Sequence, residues 1–163
     1  MSSKTDDYLD DNIHHAVLFE RYKTGQSRKI LRYVRAANKQ IAEYVMRHSF
    51  ETKKQYVIGT KKVREYVKEL VETLKRIIRK DIVALISEES DFVTETSPIE
   101  LDDNVNEERL INDIMFDTFS DTDTISSYLE GLGERIYKTW DAQFRVAYMT
   151  GIDSKEVVKA VLG

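Results

Sequence analysis

Arg28, Arg32, Arg35 and Lys39 recur at steps of four, three and four residues. That spacing stacks side chains on one face of an α-helix. Lys29 stands beside the row. The chemistry available to it is anion binding: guanidinium forks grip phosphate or carboxylate oxygens, and each phosphate neutralised adds a salt-dependent increment of affinity for nucleic acid. The row carries no base-reading motif, because its helix lacks an Asn/Gln-rich face. Tyr22 and Tyr33 lie nearby, but two tyrosines without strand geometry make no stacking platform. The same row also fits a solvated face, or a surface that meets the chain's own acidic block.

Other chemistry-bearing residues are weaker. His14 and His15 are adjacent, so on a helix they point about 100° apart and do not share a metal ion. Asp10/His14 and Asp11/His15 have i,i+4 spacing, but a fourth ligand is missing, so no metal site is assigned. Asp121-x-Asp123 begins like a calcium loop and lacks the glycine and the terminal glutamate at loop spacing. No Gly-rich phosphate loop, nucleophile elbow or His-Glu-x-x-His occurs, and there is no cysteine. The sequence reading is therefore of a protein that is not an enzyme, needs no cofactor, and acts by binding.

Charge patterning supports that reading. Residues 21–80 hold 18 Lys/Arg against 5 Asp/Glu, and residues 81–123 hold one against 14. Segregation of this size points to a polyanionic partner, a self-complementary contact, or both. The acidic residues Met1 to Asp11 are the opposite of a signal peptide, and no apolar run is long enough for a membrane span. Without cysteine, an intracellular or assembly-derived origin is expected.

The elements that must position the row are helices, since one proline and six glycines in 163 residues argue against a turn-rich β protein. Leu9, Ile13, Ala16 and Val17 have helical spacing, and a pause is expected at Thr24-Gly25, with Ser27 starting the next helix. From Ile30, the core stripe runs through Val34, Ala37, Ile41 and Val45, about 200° around the helix from the cations. Residues 49–59 read as a connection. Thr60 then caps a helix with core positions Val63, Val67, Leu70, Val71, Leu74, Ile77, Ile78, Ile82 and Leu85. Its basic residues are expected to pair along the helix, Glu65 with Lys68, Glu69 with Lys62, and Glu72 with Lys75 and Arg76.

Residues 87–105 read as an exposed acidic loop, and 106–119 as a shorter helix burying Leu110, Ile111, Ile114, Met115 and Phe119. The cluster Asp121 to Thr124 caps a last long helix with the stripe Ile125, Leu129, Leu132, Ile136, Trp140, Phe144 and Ala147. Gly131 and Gly133 sit inside it, where close approach of a neighbouring helix would explain both. Gly151 ends it. Asp153 and Glu156 then open a short helix over 153–163, whose Val157, Val158, Val161 and Leu162 are expected to dock on a partner. The fold expected is all-α: one helical domain over 1–163, an elongated or open helical bundle of four to six helices.

Two stretches carry a resemblance. Asp10 to Val45 contains His15-Ala16-Val17, Glu20-Arg21-Tyr22-Lys23 and Gly25 ahead of the basic amphipathic helix, and Ile125 to Gly163 joins a long helix to a glycine stop and a capped Gly-Ile-Asp-Ser-Lys-Glu turn. Together they resemble the N-terminal region of minor head, or head morphogenesis, proteins of tailed bacteriophages. The resemblance implies a structural virion protein inside the head or at the portal vertex, present in host cytoplasm during assembly, that aids head assembly, DNA packaging or ejection. Its implied partners are a portal or capsid protein, packaged DNA and further copies of itself, with no membrane. Many relatives continue past the position of Gly163, which leaves open whether this is a short version or a C-terminal part was cleaved or encoded separately. The alternative is a free-standing helical DNA-binding protein, a regulator or condensing protein, for which the Gly25 junction would have to serve as a helix-turn-helix.

Overall fold

The computed structural model describes residues 2–96, Arg109 and 124–163. Among these residues the protein is all-α: α1 Ser2–Met46, α2 Lys53–Thr96, α3 Ile125–Thr150 and α4 Ser154–Leu162, with no β-strand. At 1.5 Å per residue, α1 and α2 are each roughly 65 Å long. Helices of that length outreach the body formed with α3, so the bundle is elongated. α2 packs antiparallel against both α1 and α3, and α4 fits between α1 and α3 at the end where α1 stops.

The expected stripes make the core. α1 contributes Ala37, Ile41 and Val45, α2 contributes Val63, Val67, Leu70, Val71 and Leu74, and α3 contributes Leu129, Trp140, Phe144 and Ala147. Trp140 and Phe144 are wholly enclosed, and the Phe144 ring stacks on Phe50 with centroids 4.3 Å apart. The indole N–H of Trp140 donates to Asn38 Oδ1 at 3.0 Å, which satisfies a group that would be costly to bury alone. A smaller cluster around Ile82, with Ile78, Ile86 and Ile125, ends the three-helix packing. The N-terminal residues are helical as their spacing predicts, and Ile13 and Val17 are exposed.

Helix boundaries were the least legible part. α1 runs through Gly25 without a pause. One glycine costs a helix interior only about 1 kcal/mol, too little to break it unaided. The junction that a helix-turn-helix would require there is absent. α2 begins at Lys53, so the connection shrinks to a few residues after Met46. Its true cap is Thr52: Gln55 N–H donates to Thr52 Oγ1 and Thr52 N–H donates to Gln55 Oε1, a reciprocal capping box. Thr60 is mid-helix, and its hydroxyl donates to the Val57 carbonyl.

α2 also continues to Thr96, so residues 87–96 of the expected acidic loop are helical. Serines and carboxylates have modest helix propensity and do not end a helix by themselves. Pro98, two residues beyond Thr96, does disfavour helix at the residue before it. The rest of that loop and the helix expected over 106–119 lie outside the described residues, except Arg109, which is helical.

The C-terminal half follows the sequence reading closely. Thr124 caps α3 with a reciprocal Thr124–Ser127 box, and Gly151 ends it at φ 72°, the left-handed conformation that glycine adopts freely. Asp153 caps α4 by accepting from Glu156 N–H. Of the two glycines inside α3, only Gly133 has a neighbour: a Cβ there would sit 2.5 Å from Val71 Cγ2 and 3.0 Å from Val67 Cγ1, while one at Gly131 would meet nothing within 4 Å.

The two glycines therefore predict opposite outcomes. Gly131→Ala should stabilise the fold by up to about 1 kcal/mol through helix propensity. Gly133→Ala should destabilise it by about 1–3 kcal/mol through overpacking against stiff valine side chains. Denaturant unfolding followed by circular dichroism checks both, and equal effects would remove close approach as the reason for Gly133.

Candidate anion-binding face

Burial of Ala37, Ile41 and Val45 against α2 and α3 fixes the rotation of α1 and turns the opposite face outward. Arg28, Arg32, Arg35 and Lys39 are all exposed on that face. Among the described residues none of the four has an ion-pair partner. Lys29 differs. It is half-buried and its Nζ lies 3.2 and 3.1 Å from the two carboxylate oxygens of Asp81 on α2, so it leaves the row and ties α1 to α2. A one-residue step, about 100° around the helix, separates its role from that of Arg28.

The cations of α2 meet a different fate. Lys75 Nζ lies 2.8 Å from Glu130 and Arg64 3.5 Å from Glu134, both on α3, while Lys62 pairs with Glu65 at 3.2 Å. Arg64 also lies over the Tyr137 ring, 3.7 Å from its centroid. Neutralisation thus runs mainly across the α2–α3 interface, in place of the pairs expected along α2. Among the described residues, the longest regular row of exposed cations without an ion pair lies on one face of α1.

The structure extends that face beyond the residues read from sequence. Arg47, just past the end of α1, joins Arg35 and Lys39 around an open groove of about 490 Å³ between α1 and the end of α4. Ala42, Met46 and Leu162 give the groove an apolar lining, and Glu43 adds one carboxylate. On the other side of the α1 terminus, Tyr44, His48, Tyr66 and Arg47 border a second recess of about 280 Å³. Tyr44 stacks on His48 at 4.2 Å, and His48 Nδ1 lies 2.7 Å from the Tyr44 carbonyl oxygen. The i,i+4 spacing of Tyr44 and His48 was the sequence signal for this pair. The contribution of Tyr66 from another helix had none.

The terminal helix is already docked on its own chain. Val157 is fully buried in the main core, and Val158 and Val161 pack against that core. The Ser154 hydroxyl donates to the His48 carbonyl, tying the start of α4 to the α1–α2 connection. Val157, Val158 and Val161 are therefore not a free docking surface for a neighbour; Leu162 alone of the four is exposed, at the groove. A chain end with an apolar face finds the nearest unfilled core, here the gap between α1 and α3.

One polar cluster has the residue types of an active site. Tyr56 Oη donates to Asp141 Oδ1 at 2.7 Å, Arg145 Nε donates to Tyr56 Oη at 3.1 Å, and Arg145 pairs with Asp141 at 3.0 Å. Burial and the hydrogen bond to Asp141 push the Tyr56 phenol above the ordinary tyrosine value. A nucleophilic or basic tyrosine needs the opposite shift, so the cluster serves as a tie between α2 and α3. Among the described residues no three His, Cys, Asp or Glu side chains gather as a metal site. No described helix is long and apolar enough to cross a membrane. Comparison with protein-family models, curated proteins and solved structures finds no match for this chain.

The tyrosine shifts set a pH dependence. Tyr44, raised chiefly by burial, and Tyr56 both favour the protonated phenol in the folded state. Their contribution to stability is whole below the unfolded value of about 10 and is lost as pH rises through the higher folded values. Stability should fall above about pH 10, and Tyr56→Phe should make that fall shallower. Chemical denaturation across pH 8–11 measures it, and an unchanged alkaline slope would remove Tyr56 from the account.

Proposed function

We propose that this protein is a structural component of a tailed-phage head that works by binding and not by catalysis, using the outward face of α1 to hold an anionic partner. The observation that carries the binding reading is the contrast between the two basic helices. Three cations of α2, Lys62, Arg64 and Lys75, meet carboxylates, and among the described residues none of the four in the α1 row does. Like charges one turn apart on a helix cost about 0.2–0.5 kcal/mol per pair. The row therefore stores a modest repulsion that a bound polyanion relieves. Its length, about 16 Å of helix axis, spans several phosphates of a duplex.

The phage setting is supported by the resemblance of Asp10 to Val45 and Ile125 to Gly163 to minor head proteins. In that setting the row meets packaged DNA or an acidic surface of the portal or capsid protein. The acidic block over 81–123 faces a basic partner or another copy, and the protein resides in the virion after assembly in host cytoplasm. A regulator or condensing protein would use the same row, and its copies would be missing from purified particles.

Two measurements test this reading. Duplex binding should weaken steeply with salt, and the fourfold alanine variant of Arg28, Arg32, Arg35 and Lys39 should flatten the slope of log K against log salt by roughly 3–4. Binding indifferent to salt and to these substitutions would overturn the phosphate assignment. Proteomics of purified virions should find the protein at low copy number, and its absence would favour the regulator.

A further inference from the structure

The groove at the end of α1 is built differently from the row of cations along it. It sets Arg35, Lys39 and Arg47 beside an apolar lining of Ala42, Met46 and Leu162. Met46 and Leu162 are 48% and 47% exposed, large apolar side chains at a site framed by cations. Phosphate needs no apolar floor. A segment that presents carboxylates next to apolar side chains uses both halves of the groove.

The chain carries such a segment. From Glu107 to Phe119 it reads EERLINDIMFDTF, with four carboxylates against one arginine. In the sequence Leu110 and Ile114 stand four residues apart, and Asp113 and Asp117 follow each of them at three, a spacing that on a helix would set a row of acid beside a row of apolar side chains. The lengths correspond. Arg35 to Arg47 and Glu107 to Phe119 each span twelve residue steps, about 18 Å as helix.

We infer that the groove between α1 and α4 receives the acidic amphipathic segment 107–119 of a second copy of this protein, so that the chain self-associates through its own charge segregation. Carboxylates of the incoming segment meet Arg35, Lys39 and Arg47, while Leu110 and Ile114 cover Met46 and Leu162. Because groove and segment are different surfaces, the contact is heterologous: it closes as a reciprocal pair or a ring, or propagates. Partly exposed pairs of this kind are screened by salt, with a Debye length near 10 Å at 0.1 M and 3 Å at 1 M. Arg35 and Lys39 then serve both this contact and the anion row, whereas Met46 and Leu162 belong to the groove alone.

A charge exchange on the full-length chain tests this by analytical ultracentrifugation. The wild-type protein should associate at low salt and dissociate toward monomer at 1 M. Reversing the groove (Arg35→Glu, Lys39→Glu, Arg47→Glu) or the segment (Glu107→Lys, Glu108→Lys, Asp113→Lys, Asp117→Lys) should weaken self-association about tenfold or more. Mixing the two reversed proteins should restore it, since each then supplies what the other lacks. A wild-type monomer at every salt, insensitivity to the reversals, or failure of the mixture to associate would each overturn the inference. Circular dichroism confirms that the variants are folded, and the milder Met46→Asp gives a second test in which only an exposed side chain changes. The DNA reading fails or survives separately: Arg28→Ala with Arg32→Ala should lower duplex affinity and leave association intact, and Met46→Asp should do the reverse.

Discussion

The hydrogen bond from the Trp140 indole to Asn38 sits inside the largest apolar cluster of the protein, and the placement of the other elements follows from it. Trp140 is completely enclosed, so its N–H has one chance of a partner. A shift of α1 along α3 would leave that donor buried and unpaired at a cost of about 1–3 kcal/mol. The bond therefore fixes the height of α1 against α3, and the burial of Ile41 and Val45 beside it fixes the rotation. Both conditions are needed before the cations of α1 can face outward together. All four helices contribute to this cluster, including α4 through Val157.

With that register set, charge sorts itself by face. The α2–α3 seam places Glu130 and Glu134 against Lys75 and Arg64, and Asp81 reaches Lys29 from α2. Exposed pairs like these add little to stability, about 0–1 kcal/mol each, but they answer Lys62, Arg64 and Lys75 on α2 and Lys29 on α1. The exposed row Arg28, Arg32, Arg35 and Lys39 stays in one line on α1. The same register brings the end of α4 beside the end of α1, so that Leu162 and Met46 share a groove with Arg47. A binding surface for phosphate and a mixed groove for protein thus sit end to end on one helix.

The order of the helices, their apolar stripes and the outward row of cations could be read from the residues, because periodicity reports which face of a helix is buried whatever it is buried against. The caps at Thr124 and Asp153 and the stop at Gly151 were legible for the same reason, being local hydrogen bonding and backbone geometry. The boundaries that failed did so where two local signals competed. Thr52-x-x-Gln55 and Thr60 both resemble helix starts, and the helix begins at the first, with Phe50 packed where a side chain at Gly59 would stand. At Gly25 and at residues 87–96, weak helix propensity resembles a break, and the helices run on.

The sequence by itself thus determined an all-α fold, the faces of its helices, the caps of its last two helices, and the segregation of charge. Tertiary structure decided which cations are answered and which are not, since Glu130, Glu134 and Asp81 are far from their partners along the chain. It also decided that α4 fills the protein's own core, that Gly133 and not Gly131 sits at a close helix contact, and that Arg47, Met46 and Leu162 line one groove. The physical reason is the same throughout. Helical periodicity is a short-range property written in neighbouring residues, whereas pairing, crowding and grooves depend on the register between helices, and that register is set by a few enclosed contacts such as Trp140 with Asn38.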